Sequence, residues 1–281
     1  MNHHFGELGD VWKHLPLAEI LRLNPPRHYW ETHAGSASYP LTASPARLHG
    51  VLRFLEYAPG DPQLAHCAYL QALQELLGTY PGSPTLAMHA LGGEAGYIFC
   101  DIDPQSASSL QTAVAGYQAC IIEADGVSAI SDYTNSTSVD PATVLVHIDP
   151  FDPQERYFPD SKTSLELAAW LAAEGYRVFF WYCYDSAEQR GWAFEEIAKL
   201  APYVDLWCGD MLMPASFIYP QRSGAWGCGI LLANASRPEL EACRRLGRAL
   251  ERISAGDLHE GNEPAQLTFR VVSPRRSDHS F

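Results

Sequence analysis

The strongest constraint on this chain is a rhythm of short apolar runs separated by helix-like stretches. Eight segments read as strands: residues 27–32, 96–101, 118–124, 143–149, 177–184, 204–212, 228–233 and 266–272. They are rich in Val, Ile, Phe, Tyr and Trp, and several are almost unbroken in hydrophobic residues. A strand with one face in water alternates apolar with polar, whereas an unbroken run marks a strand covered on both faces. Helical patterns lie between them. Residues 161–175 carry Leu165, Leu167, Ala168, Leu171 and Ala172 on one stripe, with Gly175 as a C-terminal stop. Residues 187–200 and 237–254 read the same way. This alternation predicts an α/β fold, an open and mostly parallel sheet with helices on both faces.

One stretch interrupts the rhythm. Residues 45–56 and 62–77 carry helical patterns, separated by Ala58-Pro59-Gly60-Asp61, and no strand intervenes. The expectation is a helical insertion subdomain at 45–84 within a single domain spanning 1–281. Hydrophobic residues make up 47% and charged ones 19%, which supplies a core and excludes an intrinsically disordered chain. The polar segment 273–281 is expected to fray, and the His3-His4 pair is assigned no role. No run approaches the roughly 20 apolar residues of a membrane span. The start MNHHFGELGD lacks the basic and apolar regions of a signal peptide. The seven cysteines show no CxxC spacing, and five sit inside apolar runs. A cytoplasmic protein with reduced thiols, no disulfide framework and no metal site is expected.

In an open α/β sheet, ligands bind beyond the carboxyl ends of the strands. The first four long strands end in Thr32-His33-Ala34-Gly35, Asp101-Ile102-Asp103-Pro104, Glu123-Ala124-Asp125-Gly126 and Ile148-Asp149-Pro150. Each delivers an acid or a histidine to one edge. Taken singly, an Asp at such a place is usually a turn or helix-cap residue; four in order carry more weight. A small-residue turn after the first strand admits close approach of backbone to a ligand. An acid after the second accepts from ribose hydroxyls. A polar group after the third reads an adenine amino group, and an acid after the fourth touches both cofactor and acceptor. That is the arrangement of an S-adenosylmethionine-dependent methyltransferase. A nicotinamide dehydrogenase would want GxGxxG in the first turn, where HAGSAS stands instead.

At these residues the chain resembles the bacterial 23S ribosomal RNA adenine-N6 methyltransferases of the J type. The markers are Gly9-Asp10-Val11-Trp12-Lys13-His14, Thr32-His33-Ala34-Gly35 with Tyr39, Tyr80-Pro81-Gly82-Ser83-Pro84, the strand-end acids, and Trp181-Tyr182. The resemblance covers most of the chain. It implies a class I, Rossmann-like methyltransferase fold with a seven-stranded, mostly parallel sheet and S-adenosyl-L-methionine as cofactor. It places the cofactor contacts on His14, His33, Ser83, Asp101, Asp125 and Gly126. Asp149 is shared with the acceptor and is the catalytic residue, orienting the acceptor nitrogen and taking its proton. Where Asp101 stands, the family has Glu. The N-terminal segment in this family packs over the site.

The family's catalytic string is Asp-Pro-Pro-Tyr, and here it reads Asp149-Pro150-Phe151-Asp152. The acid and first proline remain, and Pro150, Phe151, Asp152 and Tyr39 are the expected acceptor contacts. Phe151 offers a stacking face one position early, and Asp152 is a specificity residue able to pair with a cationic acceptor. Tyr39, Phe151, Trp181 and Tyr182 are the aromatic residues expected around the pocket. Glu7-Leu8 stands where the family carries Asn-His. The formal net charge is −14, from 19 basic and 33 acidic residues. Such a surface repels phosphates at long range. Arg244, Arg245, Arg248 and Arg252, with Glu239, Glu241 and Glu251 nearby, suit a solvated helix face rather than a phosphate track. The expected activity is therefore N-methylation of a small-molecule amine or heteroaromatic nitrogen in biosynthesis. The alternatives are the rRNA adenine-N6 activity and a non-catalytic protein that binds S-adenosylmethionine or a nucleotide.

Overall fold

The computed structural model describes residues 5–76, 78–213, 226–254 and 265–272. The segment 273–281 and the pair His3-His4 lie outside them. The first described element is α1 (Leu8–Leu23), which leads into β1 (His28–Glu31), an interior strand of the sheet between β6 and β4. After β1 come the short strand β2 (Ser38–Pro40), helices α2 (Pro45–His49), α3 (Val51–Tyr57) and α4 (Ala68–Glu75), strand β3 (Thr79–Pro81) and helix α5 (Ser83–Leu91). Alternation then sets in: β4 (Gly96–Cys100), α6 (Pro104–Ala113), β5 (Gln118–Ile122), α7 (Gly126–Ser136), β6 (Val144–Ile148), α8 (Ser164–Ala173), β7 (Arg177–Tyr184) and α9 (Trp192–Leu200). Strands β8 (Leu206–Met213) and β9 (Trp226–Ala233), helix α10 (Arg237–Ser254) and strand β10 (Gln266–Val272) complete it.

The main sheet runs β10-β8-β9-β7-β6-β1-β4-β5. Strands β5, β4, β1, β6 and β7 are parallel neighbours, while β9 runs antiparallel to both β7 and β8. The order, with its reversed β9, is that of a Rossmann-like α/β fold with a mixed, mostly parallel sheet. All eight segments read as strands lie in this sheet, one more than the seven the resemblance implies. β10 adds an antiparallel edge strand, pairing with β8 from Gln266↔Leu212 to Val272↔Leu206. Both faces are covered, which explains the apolar runs. One core joins α1, α4, α5 and α10 to the sheet, with Tyr29, Phe99 and Phe179. The other joins α7, α8 and α9 through Trp30, Val146 and Phe180. A Thr163–Glu166 capping box opens α8.

The region 45–84 departs from expectation in three ways. The helix expected over 45–56 is broken at Gly50 into α2 and α3. A Cβ there would stand 2.2 Å from the Gly6 carbonyl oxygen, and the Val51 N–H donates to that oxygen at 2.9 Å. The N-terminal segment thus docks on the helix junction. A strand does occur in the region: β3 pairs antiparallel with β2, through Tyr39↔Tyr80. Both strands have three residues, too short for a periodicity to show. Helix α4 begins only at Ala68, because the Cys67 thiol caps it by accepting from the Leu70 N–H. No helix among the described residues is long and apolar enough to cross a membrane.

Candidate functional site

A cleft of about 50 Å³, partly open to solvent, lies at the carboxyl ends of β1 and β6 beneath α1. His14, His33, Tyr39, Ser83 and Asp149 line it together. These five residues are scattered across the sequence, and three kinds of element deliver them. Helix α1 supplies His14, the turns after β1 and β6 supply His33 and Asp149, and the β2–β3 ribbon with the start of α5 supplies Tyr39 and Ser83.

Sequence reasoning missed the cleft's main electrostatic feature. Lys13 Nζ lies 2.7 Å from Asp149 Oδ2 and 3.1 Å from Asp10 Oδ1, and 5.6 Å from the centroid of the Trp181 ring. All three charged groups line the cleft. Burial works against the Lys13 charge, but Asp149 and Asp10 outweigh it, so the ammonium is held above the ordinary lysine value. Burial pushes the Asp10 carboxyl up, with Lys13 opposing and Asp149 adding to the rise. The signal was present in Asp10-Val11-Trp12-Lys13-His14. An i, i+3 pair shares a helix face, and both residues are charged on a helix that is otherwise buried.

The histidines are kept neutral. Burial, the Lys13 charge and His147 hold His14 well below the ordinary imidazole value. Burial also lowers His33, although Asp149, Asp125 and Asp101 around it favour its charged form. Beneath the cleft lies a buried polar network. Glu31 Oε1 accepts from Ser83 Oγ at 2.5 Å and lies 2.8 Å from His147 Nδ1, and Tyr29 OH donates to Glu31 Oε2 at 3.2 Å. A second chain runs from Tyr69 OH to Tyr80 OH at 3.2 Å, and from there 2.8 Å to His14 Nδ1.

The remaining sequence-derived residues stand apart from the cleft lining. Asp101 braces the turn after β1: its Oδ2 accepts from the Gly35 N–H at 2.7 Å and its Oδ1 from the Asp103 N–H at 2.8 Å. Asp125 caps α7 by accepting from the Ser128 N–H at 2.9 Å. At Gly126 a Cβ would lie 1.8 Å from the Thr32 carbonyl oxygen, so α7 packs directly on the end of β1. Gly126→Ala is expected to cost about 3 kcal/mol, since all three atoms it would meet are Thr32 backbone. Urea unfolding measures it as a lowered midpoint at constant slope; an unchanged midpoint would mean that α7 shifts freely. Pro150 is buried, but Phe151 is 96% exposed and Asp152 is exposed, its Oδ1 accepting from the Gln154 N–H. Trp181 lies under Lys13, whereas Tyr182 belongs to the opposite core, donating to Asp210 Oδ1. Consecutive strand residues face opposite ways, so one strand cannot turn both rings to one pocket.

Among the described residues no cluster of His, Cys, Asp and Glu is arranged to hold a metal ion. The cleft does suit a polar organic cofactor. His14 Nε2 is buried without a hydrogen-bond partner, a state rarely left standing without a ligand or water.

No protein-family model matches the chain, and no curated protein matches it. Solved structures do. Protein LPL1258 from Legionella pneumophila, a crystal structure carrying the family label DUF519, superposes with a TM-score of 0.73 at 18% identity. The match covers 97% of this chain and 99% of that one, and establishes a shared fold. An S-adenosylmethionine-dependent methyltransferase from Agrobacterium tumefaciens matches with a TM-score of 0.42 and 11% identity, over 79% of this chain and 60% of that one. Precorrin-6y C5,15-methyltransferase from Geobacter metallireducens gives 0.38 and 11%, over 78% and 85%.

Proposed function

We propose that the protein is an S-adenosylmethionine-dependent N-methyltransferase acting on a small-molecule amine or heteroaromatic nitrogen. The observation that carries the reading is the convergence of Asp149, His14, His33 and Ser83 on one cleft at the carboxyl edge of the sheet. His14, His33 and Ser83 hold the cofactor from the cleft, with Asp101, Asp125 and Gly126 beside it. When bound, S-adenosylmethionine supplies a methyl group on a positively charged sulfur. Asp149 accepts a hydrogen bond from the acceptor nitrogen, turns its lone pair toward the methyl, and takes the proton released, directly or through water. Lys13 Nζ, 2.7 Å from Asp149 Oδ2, fixes the position of the carboxyl group.

Charge supports a small acceptor. Among the described residues Lys13 is the one Lys or Arg side chain lining the cleft, and it pairs with two carboxylates. On α10 four of the five arginines pair with carboxylates, Arg237 with Glu241, Arg245 with Glu19, Arg248 with Glu251 and Arg252 with Asp61, and Arg244 lies over the Phe269 ring. No free basic track among them leads to the cleft. One observation favours the rRNA adenine as a second reading. Phe151, Tyr157 and Phe158, on the loop after Asp149, are 96%, 56% and 52% exposed, and flat bases stack on such rings. Transfer of labelled methyl groups separates the readings. Label is expected in the small-amine fraction and absent from protein-free 23S rRNA. Labelled rRNA overturns the small-acceptor reading. Cofactor binding with no transfer to either makes the protein a binding protein.

A further inference from the structure

The polar groups of the cleft have a fixed hydrogen-bond direction, and it can be read from the proton count. Tyr69 OH donates to Tyr80 OH. Tyr80 has one phenolic proton, is buried, and has its oxygen 2.8 Å from His14 Nδ1. If Nδ1 carried the imidazole proton, the Tyr80 proton would be stranded and Nε2 would hold an idle lone pair. If Tyr80 donates to Nδ1, every phenolic proton in the chain is used. Burial keeps the ring neutral, so its proton then resides on Nε2. That atom is the buried one with no partner, on a residue lining the cleft. His14 is therefore a donor awaiting an acceptor.

Ser83 has the opposite polarity. Its proton is committed to Glu31 Oε1, which leaves its lone pairs for a donor, beside a buried carboxylate. One side of the cleft thus offers N–H and the other offers lone pairs next to negative charge. That pair of polarities matches a carboxylate and an ammonium, the two ends of an α-amino acid group.

We propose that Tyr69 and Tyr80 are positioning residues that fix the His14 tautomer, so that the cleft recognises the carboxylate of its ligand's amino-acid tail. The proposal rests on the reading of the cleft as the S-adenosylmethionine site. Neither tyrosine touches the reacting atoms; both act through His14.

Calorimetric titration of the full chain with two ligands tests it. S-adenosylhomocysteine carries the amino-acid tail, and 5′-methylthioadenosine lacks it. Tyr80→Phe is expected to weaken S-adenosylhomocysteine about tenfold, the loss of one oriented hydrogen bond to a charged group, and to leave methylthioadenosine within about twofold. Tyr69→Phe leaves the Tyr80 proton in place but frees it to rotate, so about a threefold, equally tail-selective loss is expected. Should Tyr80→Phe fail to fold, Tyr69→Phe carries the test. Equal losses for both ligands would show a packing role and overturn the proposal, as would no loss in either variant. A wild-type protein that binds neither ligand overturns the cofactor reading itself, and the proposal with it. Wild-type binding without tail selectivity in the variants overturns the relay alone.

Discussion

Asp149→Asn is expected to lower methyl-transfer turnover by about a thousandfold, within the range for a positioned acid or base, while leaving a folded protein. The substitution is nearly isosteric, so the turn after β6 keeps its shape. It removes the charge that lies 2.7 Å from Lys13, and it removes the group able to take the acceptor's proton. An amide can also present its NH₂ to the acceptor, which orients the nitrogen wrongly and adds to the loss. Binding of S-adenosylhomocysteine should change far less than turnover, by about tenfold at most, because His14, His33 and Ser83 remain. Turnover is measured at saturating cofactor, with thermal unfolding as the control for folding. Full activity in Asp149→Asn removes this residue from the mechanism.

How far the sequence discloses this site depends on how each residue is held. Asp149 and His33 were legible because they follow strands, and the carboxyl edge of an open α/β sheet is where ligands bind. His14 and Ser83 came through the DVWKH and YPGSP strings and not through any periodicity. The Asp10–Lys13 half of the ion cluster could be read from its i, i+3 spacing, but the Lys13–Asp149 half was invisible, since Asp149 stands 136 residues away and only the packing of α1 over the sheet brings them together. Helix α1 itself leaves no stripe: it is buried from Leu8 to Leu21 almost without interruption, and a helix covered all round shows no amphipathic period. The reversal of β9 was hidden for a related reason. Strands buried on both faces look alike whether they run parallel or antiparallel, and β9 is as apolar as β6. Phe151 illustrates the converse. Its place two residues after Asp149 suggested a ring inside the pocket, but the turn after β6 carries it out to solvent.

The second large effect is expected from Lys13→Met. In the wild type, Lys13 holds two cleft carboxylates together, and its own folded-state value is raised. A raised lysine contributes stability that is fully present below its unfolded value near 10.5 and is lost only as pH rises beyond it, so at pH 7 the whole contribution is in force. Asp10 has the opposite sign. Burial raises its carboxyl above the unfolded value, so the folded state holds that proton more tightly, and stability falls as pH rises through the window between the two values. Lys13 opposes that rise. Without it, Asp10 and Asp149 face each other uncompensated, the Asp10 value climbs further and the window widens. Removing one partner of a buried ion pair costs about 3–5 kcal/mol. Lys13→Met is therefore expected to lose about that much at pH 7 and to recover part of it when the pH is lowered to about 5, the direction that favours the protonated form of Asp10. Turnover should fall as well, because Asp149 loses the ammonium 2.7 Å away that holds its carboxyl group in place. Urea unfolding of both proteins at the two pH values measures the effect. A wild-type-to-variant difference that does not change between them would mean that the ammonium acts by packing over Trp181 and not by charge.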